Sequence, residues 1–122
     1  MEVLVDDGRP LFEQVAEALE SAVLDGSMPE GSRVPSINEL AVFHRINPAT
    51  ALKGVNLLVD AGVLHKRRGI GMFVTDGARA QLLAERRGDF VQRHLAPVVT
   101  HAKSLGMSAD ELAALVKEEM ER

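Results

Sequence analysis

The chain has 122 residues, 46% of them hydrophobic, and a net charge of −4, which suits one ordinary domain or a small domain with an appendage. It contains no cysteine, which excludes disulfides, thiolate metal sites and a cysteine nucleophile, and favours a reducing compartment. No apolar run approaches the roughly 18 residues that a membrane span needs, and the acidic N-terminus lacks a secretory signal, so a cytoplasmic protein without a membrane partner is expected.

The first predicted helix begins near Pro10, because the first helical turn does not need the N–H that proline lacks. Residues 1–9 before it are predicted to form an extended arm or a frayed end, and Gly26 is predicted to end the helix. A short strand is expected at residues 33–34. Apolar residues recur at helical spacing in the helix: Leu11, Val15, Ala18, Leu19, Ala22 and Val23.

Two short helices joined by a tight turn come next, which is the pattern of a helix-turn-helix. Ser36 and Glu39 form a capping box that starts the first of them. Residues 44–46 are predicted to form the turn. Asn47 caps the second helix, and Pro48 occupies its first position.

The second helix is predicted over residues 47–61 and ends at Gly62, which supplies a left-handed cap. Three of its residues are expected to face the core: Ala51, Val55 and Leu58. The opposite face carries small and polar residues: Ala49, Thr50, Lys53 and Asn56. A helix with an exposed face of this kind is suited to reading a DNA groove.

A β-hairpin is predicted after this helix, with arms at residues 63–65 and 72–74 and a basic tip at residues 66–69. The negative net charge argues at first sight against nucleic acid, but the charge is unevenly distributed. Residues 40–74 contain five cationic side chains and one acidic side chain, so this stretch carries +4. A local cationic patch is the relevant electrostatic signal for DNA binding.

The C-terminal part is predicted to be helical, after a hinge at residues 75–77. A long helix should run from Ala78 to about Lys103, with a kink at Pro97 because proline removes a backbone hydrogen bond. Ser108 and Glu111 form a second capping box, which starts the last helix.

These two helices carry more apolar surface than they can bury against each other, so we predict that they pack against a second copy of the chain. The residues predicted to form this homodimer contact are Leu83, Phe90, Val91, Leu95, Val98, Leu112, Leu115 and Val116. Part of the stripe could instead line an effector pocket. His94 and His101 lack the carboxylate or cysteine partners of a metal site, so neither a metal nor a cofactor is expected.

The segments from residue 10 to residue 74 together resemble the GntR family of bacterial transcription regulators, and within it the YtrA-like branch. The matching segments are residues 10–14, 24–36, 39–41, 47–50 and 62–74. The resemblance implies a mainly α-helical fold with a small β-hairpin: a winged helix-turn-helix followed by a two-helix dimerisation unit. It also implies a dimer that binds a two-fold operator on double-stranded DNA. The recognition helix, residues 47–61, would enter the major groove, and the tip of the wing, which is the hairpin, would reach the minor groove with Arg68 and Gly69.

Residues 7–76 are accordingly predicted to bind DNA, and residues 78–122 to dimerise. The candidate DNA contacts are Ser36, Asn38, Arg45, Asn47, Thr50, Lys53, Arg67, Arg68 and Gly69. The family usually has arginine where this chain has Asn38. Asparagine can still donate to a phosphate or to an adenine edge, but it adds no charge.

The leading interpretation is a sequence-specific transcriptional regulator without enzymatic activity, with repression favoured over activation. A winged helix that binds another protein is the alternative, although the cationic tip argues against it. No nucleophile–base pair, phosphate loop or metal set supports an enzyme. The operator, the sign of regulation and the existence of a small-molecule effector are left open by the sequence.

Overall fold

A computed structural model describes residues 3–122 and confirms a mainly α-helical fold with a small hairpin. The chain forms two compact units, Met1–Ala84 and Glu85–Arg122. The first unit contains α1 (Leu11–Leu24), α2 (Ile37–His44), α3 (Pro48–Asp60), β1 (Leu64–Arg67), β2 (Gly71–Val74) and the start of α4 (Ala78–Phe90). The second contains the end of α4, a π-helical turn (Val91–Leu95), α5 (Ala96–Ser104) and α6 (Ala109–Met120).

The core of the first unit is formed where α1 and α2 pack on α3 and where the hairpin covers them. The predicted core positions of α1 and α3 are buried, except that Leu11 is exposed at the first position of α1. Gly54 lies at the crossing of α1 and α3. A Cβ added there would lie only 2.6 Å from the carbonyl oxygen of Phe12, so glycine allows the two helices to approach closely.

The predicted caps of the helix-turn-helix are present. Ser36 caps α2 with a complete capping box, and the Asn47 side chain caps α3 with Pro48 at its first position. The predicted turn is corrected at one residue, because His44 is the last residue of α2. Arg45 follows with φ of 55°, and this left-handed residue turns the chain toward α3.

The hairpin is antiparallel, and Leu64 pairs with Val74 while Arg67 pairs with Gly71. The prediction that the tip spans residues 66–69 was wrong at its start, since the pairing continues through Lys66 and Arg67. The turn therefore consists of residues 68–70. The strand expected at residues 33–34 is a single bridge, in which Arg33 pairs with Phe73.

The beginning of α4 is held within the first unit by one buried side chain and two hydrogen bonds. Leu82 is buried in its core. The side chain of Gln81 donates to the carbonyl of Ala61, and that of Arg79 donates to the carbonyl of Leu24. Both acceptors lie at helix ends, where carbonyl groups lack partners within their own helix. The division of the chain into a DNA-binding part, residues 7–76, and a dimerising part, residues 78–122, stays a prediction.

The arm before α1 is predicted over residues 1–9, of which Met1 and Glu2 lie outside the described residues. The remainder is held by the buried side chain of Gln14. Its Oε1 accepts from the Val5 N–H at 2.8 Å, and its Nε2 donates to the Val5 carbonyl at 2.8 Å.

In the second unit, a π-helical turn ends just before α5, which has Pro97 in its first turn, and the predicted kink at Pro97 stays a prediction. The Ala96 N–H bonds to the carbonyl of Val91, five residues back. Widening the helix in this way accommodates a proline in the following turn without the usual clash. The Ser108 capping box at the start of α6 is present as predicted. Among the described residues, no helix is both long enough and apolar enough to span a membrane.

Candidate nucleic-acid interface

The N-terminus of α2 presents Ser36 and Asn38 at the surface. The Ser36 hydroxyl accepts from the Glu39 N–H at 3.1 Å, and the Glu39 carboxylate accepts from the Ser36 N–H at 3.2 Å. Hydrogen bonds that the Glu39 carboxylate accepts from the backbone and from the side chain of Ser36 hold the pKa of Glu39 below its ordinary value. A phosphate at this helix N-terminus would compete with the Glu39 carboxylate for the Ser36 hydroxyl proton.

At the start of α3, the oxygen and the nitrogen of the Asn47 side chain have different roles. Its side-chain oxygen accepts from the Ala49 N–H at 2.8 Å, which satisfies one free donor of the helix. Its amide nitrogen is left to donate outward. Thr50 is half-buried one turn further on, and Arg45 is exposed on the preceding turn.

Lys53 is exposed on α3, but its ammonium group lies 3.9 Å from the centre of the Phe12 ring on α1. A cation–π contact at an exposed site is worth about 0.5–1 kcal/mol. This is weak enough for a phosphate to displace. The predicted phosphate contact therefore requires the side chain to rotate away from Phe12.

In the wing, Arg67 and Arg68 differ in how their side chains are held. The guanidinium of Arg67 lies 4.3 Å from the centre of the Phe73 ring, and its Nε donates to Nε2 of His65 at 3.4 Å. Arg68 is exposed in the turn, next to Gly69, which has φ of 75°. Arg68 is thus the basic residue at the tip, whereas Arg67 is packed along the hairpin.

A cleft of 490 Å³ separates the wing from the start of α2, and it is lined by residues 35–37, Val55 and residues 66–72. The cleft joins two predicted contact sites, the Ser36 cap and the wing. Arg33 also belongs to this surface, because its Nε would lie 3.0 Å from a Cβ added to Gly71. Sequence reasoning missed Arg33 because it lies outside the cationic stretch of residues 40–74.

The predicted contact residues are brought together in the first unit on the two helix starts and the wing. In the part of the chain that is described, none of Arg45, Lys53, Arg67 and Arg68 forms an ion pair. Their charges are available to neutralise phosphates and release counterions. The described residues contain no group of three or more histidine, aspartate or glutamate side chains arranged to hold a metal ion.

The residues predicted to dimerise carry much exposed apolar surface. Phe90 is 56% exposed and Val98 is 48% exposed. Leu83 and Leu112 are half-buried, and the other predicted members are exposed: Val91, Leu95, Leu115 and Val116. Within the second unit, α5 and α6 also enclose an apolar groove of 610 Å³.

Comparison with known proteins gives a consistent result. Residues 11–74 match the family described as "Bacterial regulatory proteins, gntR family". The HTH-type transcriptional repressor YtrA of Bacillus subtilis (strain 168) is 28% identical over 109 residues, which cover 89% of this chain and 83% of YtrA.

Solved structures agree along the length of the chain. A putative GntR-family regulator from Bacteroides thetaiotaomicron is 28% identical, with a TM-score of 0.78 over 92% of this chain and 97% of that chain. The DNA-binding domain of AraR in complex with operator ORX1 is 29% identical, with a TM-score of 0.57 over 62% of this chain and 96% of that domain.

Proposed function

Because this chain belongs to the GntR family, in its YtrA-like branch, and is a DNA-binding transcription regulator, we propose that it acts as a homodimeric repressor on a two-fold operator. The repressor assignment is supported by the name of the B. subtilis relative, which is a transcriptional repressor. We assign it to the cytoplasm, where its DNA would be, and give it no catalytic role.

The observation that carries the proposal is the shared surface of the two helix starts and the wing, where Arg45, Lys53, Arg67 and Arg68 form no ion pair among the described residues. The N-terminal half of α3 would enter the major groove, and Arg68 with Gly69 would reach the neighbouring minor groove. Ser36, Asn38, Asn47, Thr50 and Arg45 would contact the backbone or base edges. Lys53 and Arg67 would add charge, Lys53 after leaving the Phe12 ring.

The homodimer is supported by the exposed apolar side chains of the second unit. Leaving Phe90, Val98 and their neighbours in water is costly, since burial of apolar surface stabilises by about 25 cal/mol per Å². A second copy would cover them and would pair two recognition helices for half-sites about one helical turn apart. An effector that altered this pairing would change operator binding, although no ligand is assigned.

The oligomeric state is tested by light scattering on the full chain at micromolar concentration, with a dimer as the expected result. Val98→Glu would place a charge in the predicted contact and should give a monomer that binds the operator far more weakly. The Gln92→Glu variant carries the same added charge at a position outside the predicted homodimer contact, and it should remain a dimer. Wild-type protein that stays monomeric would contradict the homodimer.

DNA binding is tested by selecting duplexes from a random pool and measuring retardation in a gel at low ionic strength. The expected product is an inverted repeat bound by two chains. Protein that folds and dimerises but retards no duplex would overturn the proposal and would fit the alternative, a winged helix that binds another protein.

A further inference from the structure

The exposed face of α3 contains a stripe whose first two members, Ala49 and Leu52, have side chains without hydrogen-bonding groups. Ala49, Leu52 and Asn56 are exposed and are spaced by three and four residues, so they follow one another along the same side of the helix. The buried residues Ala51 and Val55 lie on the opposite side. Leu52 is 43% exposed at the middle of the stripe, although it is a large apolar residue.

The charges of α3 decide which half of the helix approaches DNA. Asp60 is the last residue of α3, exposed one turn after Asn56, and its carboxylate would be repelled by phosphates. The helix N-terminus at Asn47 favours phosphates instead. The N-terminal half, with Ala49 and Leu52, is therefore the part placed deepest in the groove.

The chemistry of the major groove restricts what Leu52 can contact. Base edges there present hydrogen-bond donors, acceptors and one apolar group, the C5-methyl of thymine. An isobutyl group packed on a G·C edge would strip water from polar atoms without replacing the hydrogen bonds, which is unfavourable. Packed against a thymine methyl group, the isobutyl group of Leu52 buries apolar surface of both the leucine and the base.

We propose that Leu52, assisted by Ala49, recognises thymine C5-methyl groups in the major groove and makes each operator half-site A·T-specific at the base pairs it faces. The proposal rests on the proposed function. The stripe from Ala49 to Asn56 is about 10 Å long, which corresponds to about three base-pair steps. Asn56 at its far end has the amide that pairs with the N6 and N7 positions of adenine.

The test replaces thymine by deoxyuridine, one position at a time, in a duplex selected from a random pool by the wild-type protein. This change removes only the methyl group and leaves base pairing and the minor groove unaltered. Wild-type protein should lose about four-fold in affinity at one or two positions per half-site, as expected for one buried carbon. Leu52→Ala should bind both duplexes equally at those positions.

Leu57→Ala is the matched control. Leu57 is also a leucine on α3 and is 41% exposed, but it lies five residues after Leu52 and about 140° around the helix axis. This variant should keep the wild-type preference for thymine. Equal losses for wild type and Leu52→Ala, or a selected half-site without A·T pairs, would overturn the thymine assignment. Wild-type protein that binds no duplex from the pool would instead refute the proposed function.

Discussion

Replacing Gly54 by alanine tests the closest helix contact of the first unit. A Cβ at this position would lie 2.6 Å from the Phe12 carbonyl oxygen and 2.9 Å from the Val15 Cβ. Carbon atoms in contact ordinarily lie about 3.5–4.0 Å apart, so α1 would have to move by more than about half an ångström. The obstructing oxygen belongs to the backbone of a helix, and it cannot rotate away as a side chain could.

Two opposing contributions determine how much Gly54→Ala changes the free energy of unfolding. Alanine is favoured over glycine inside a helix by about 1 kcal/mol. Forcing extra volume into a packed crossing costs about 1–3 kcal/mol, and the rigid backbone contact places this case near the upper end. We therefore expect Gly54→Ala to lower the free energy of unfolding by about 1–2 kcal/mol, with a fall in Tm of roughly 5–10 °C.

The measurement is urea unfolding followed by circular dichroism, at one protein concentration because association contributes to apparent stability. Gly88→Ala is the control, since Gly88 is also inside a helix but a Cβ there would meet nothing within 4 Å. It should be neutral or stabilising by up to about 1 kcal/mol. If Gly54→Ala proved as stable as Gly88→Ala, the close approach of α1 and α3 would be wrong.

The remaining predictions concern the α2 cap and the wing. Ser36→Ala should cost about 1 kcal/mol in urea unfolding, because one N–H of α2 loses its acceptor; unchanged stability would show that the cap is unimportant. The folded pKa of Glu39 is below its ordinary 4.5, so its carboxylate stabilises the fold above that pH and the effect is lost as the pH falls through the folded pKa. Glu39→Gln keeps a capping residue without titrating, so melts from neutral to acidic pH should show wild type losing stability relative to this variant. Arg68→Ala should weaken operator binding and reduce the slope of log affinity against log salt by about 0.9, whereas Arg122→Ala in the second unit should change neither. Equal slopes for wild type and Arg68→Ala would remove the wing tip from the interface.

Much of the fold follows from signals that act over a few residues. The capping boxes at Ser36 and Ser108 and the Asn47–Pro48 start predict their helices correctly, because a cap is a contact between residues two or three apart. The hairpin was predicted for the same reason, from two short apolar arms on either side of a basic tip that contains glycine. The end of its first strand was predicted two residues too early, because basic side chains can lie either in a turn or on an exposed strand.

The sequence by itself therefore determined the order of the helices and the hairpin, the cationic stretch and the residues of α3, all of which are encoded locally. Only the tertiary structure decided why residue 54 is glycine, where the ammonium of Lys53 rests, and that Arg33 joins the wing surface. The physical reason is that each of these depends on a distance of a few ångströms between elements far apart in the chain. Local spacing carries no information about such distances.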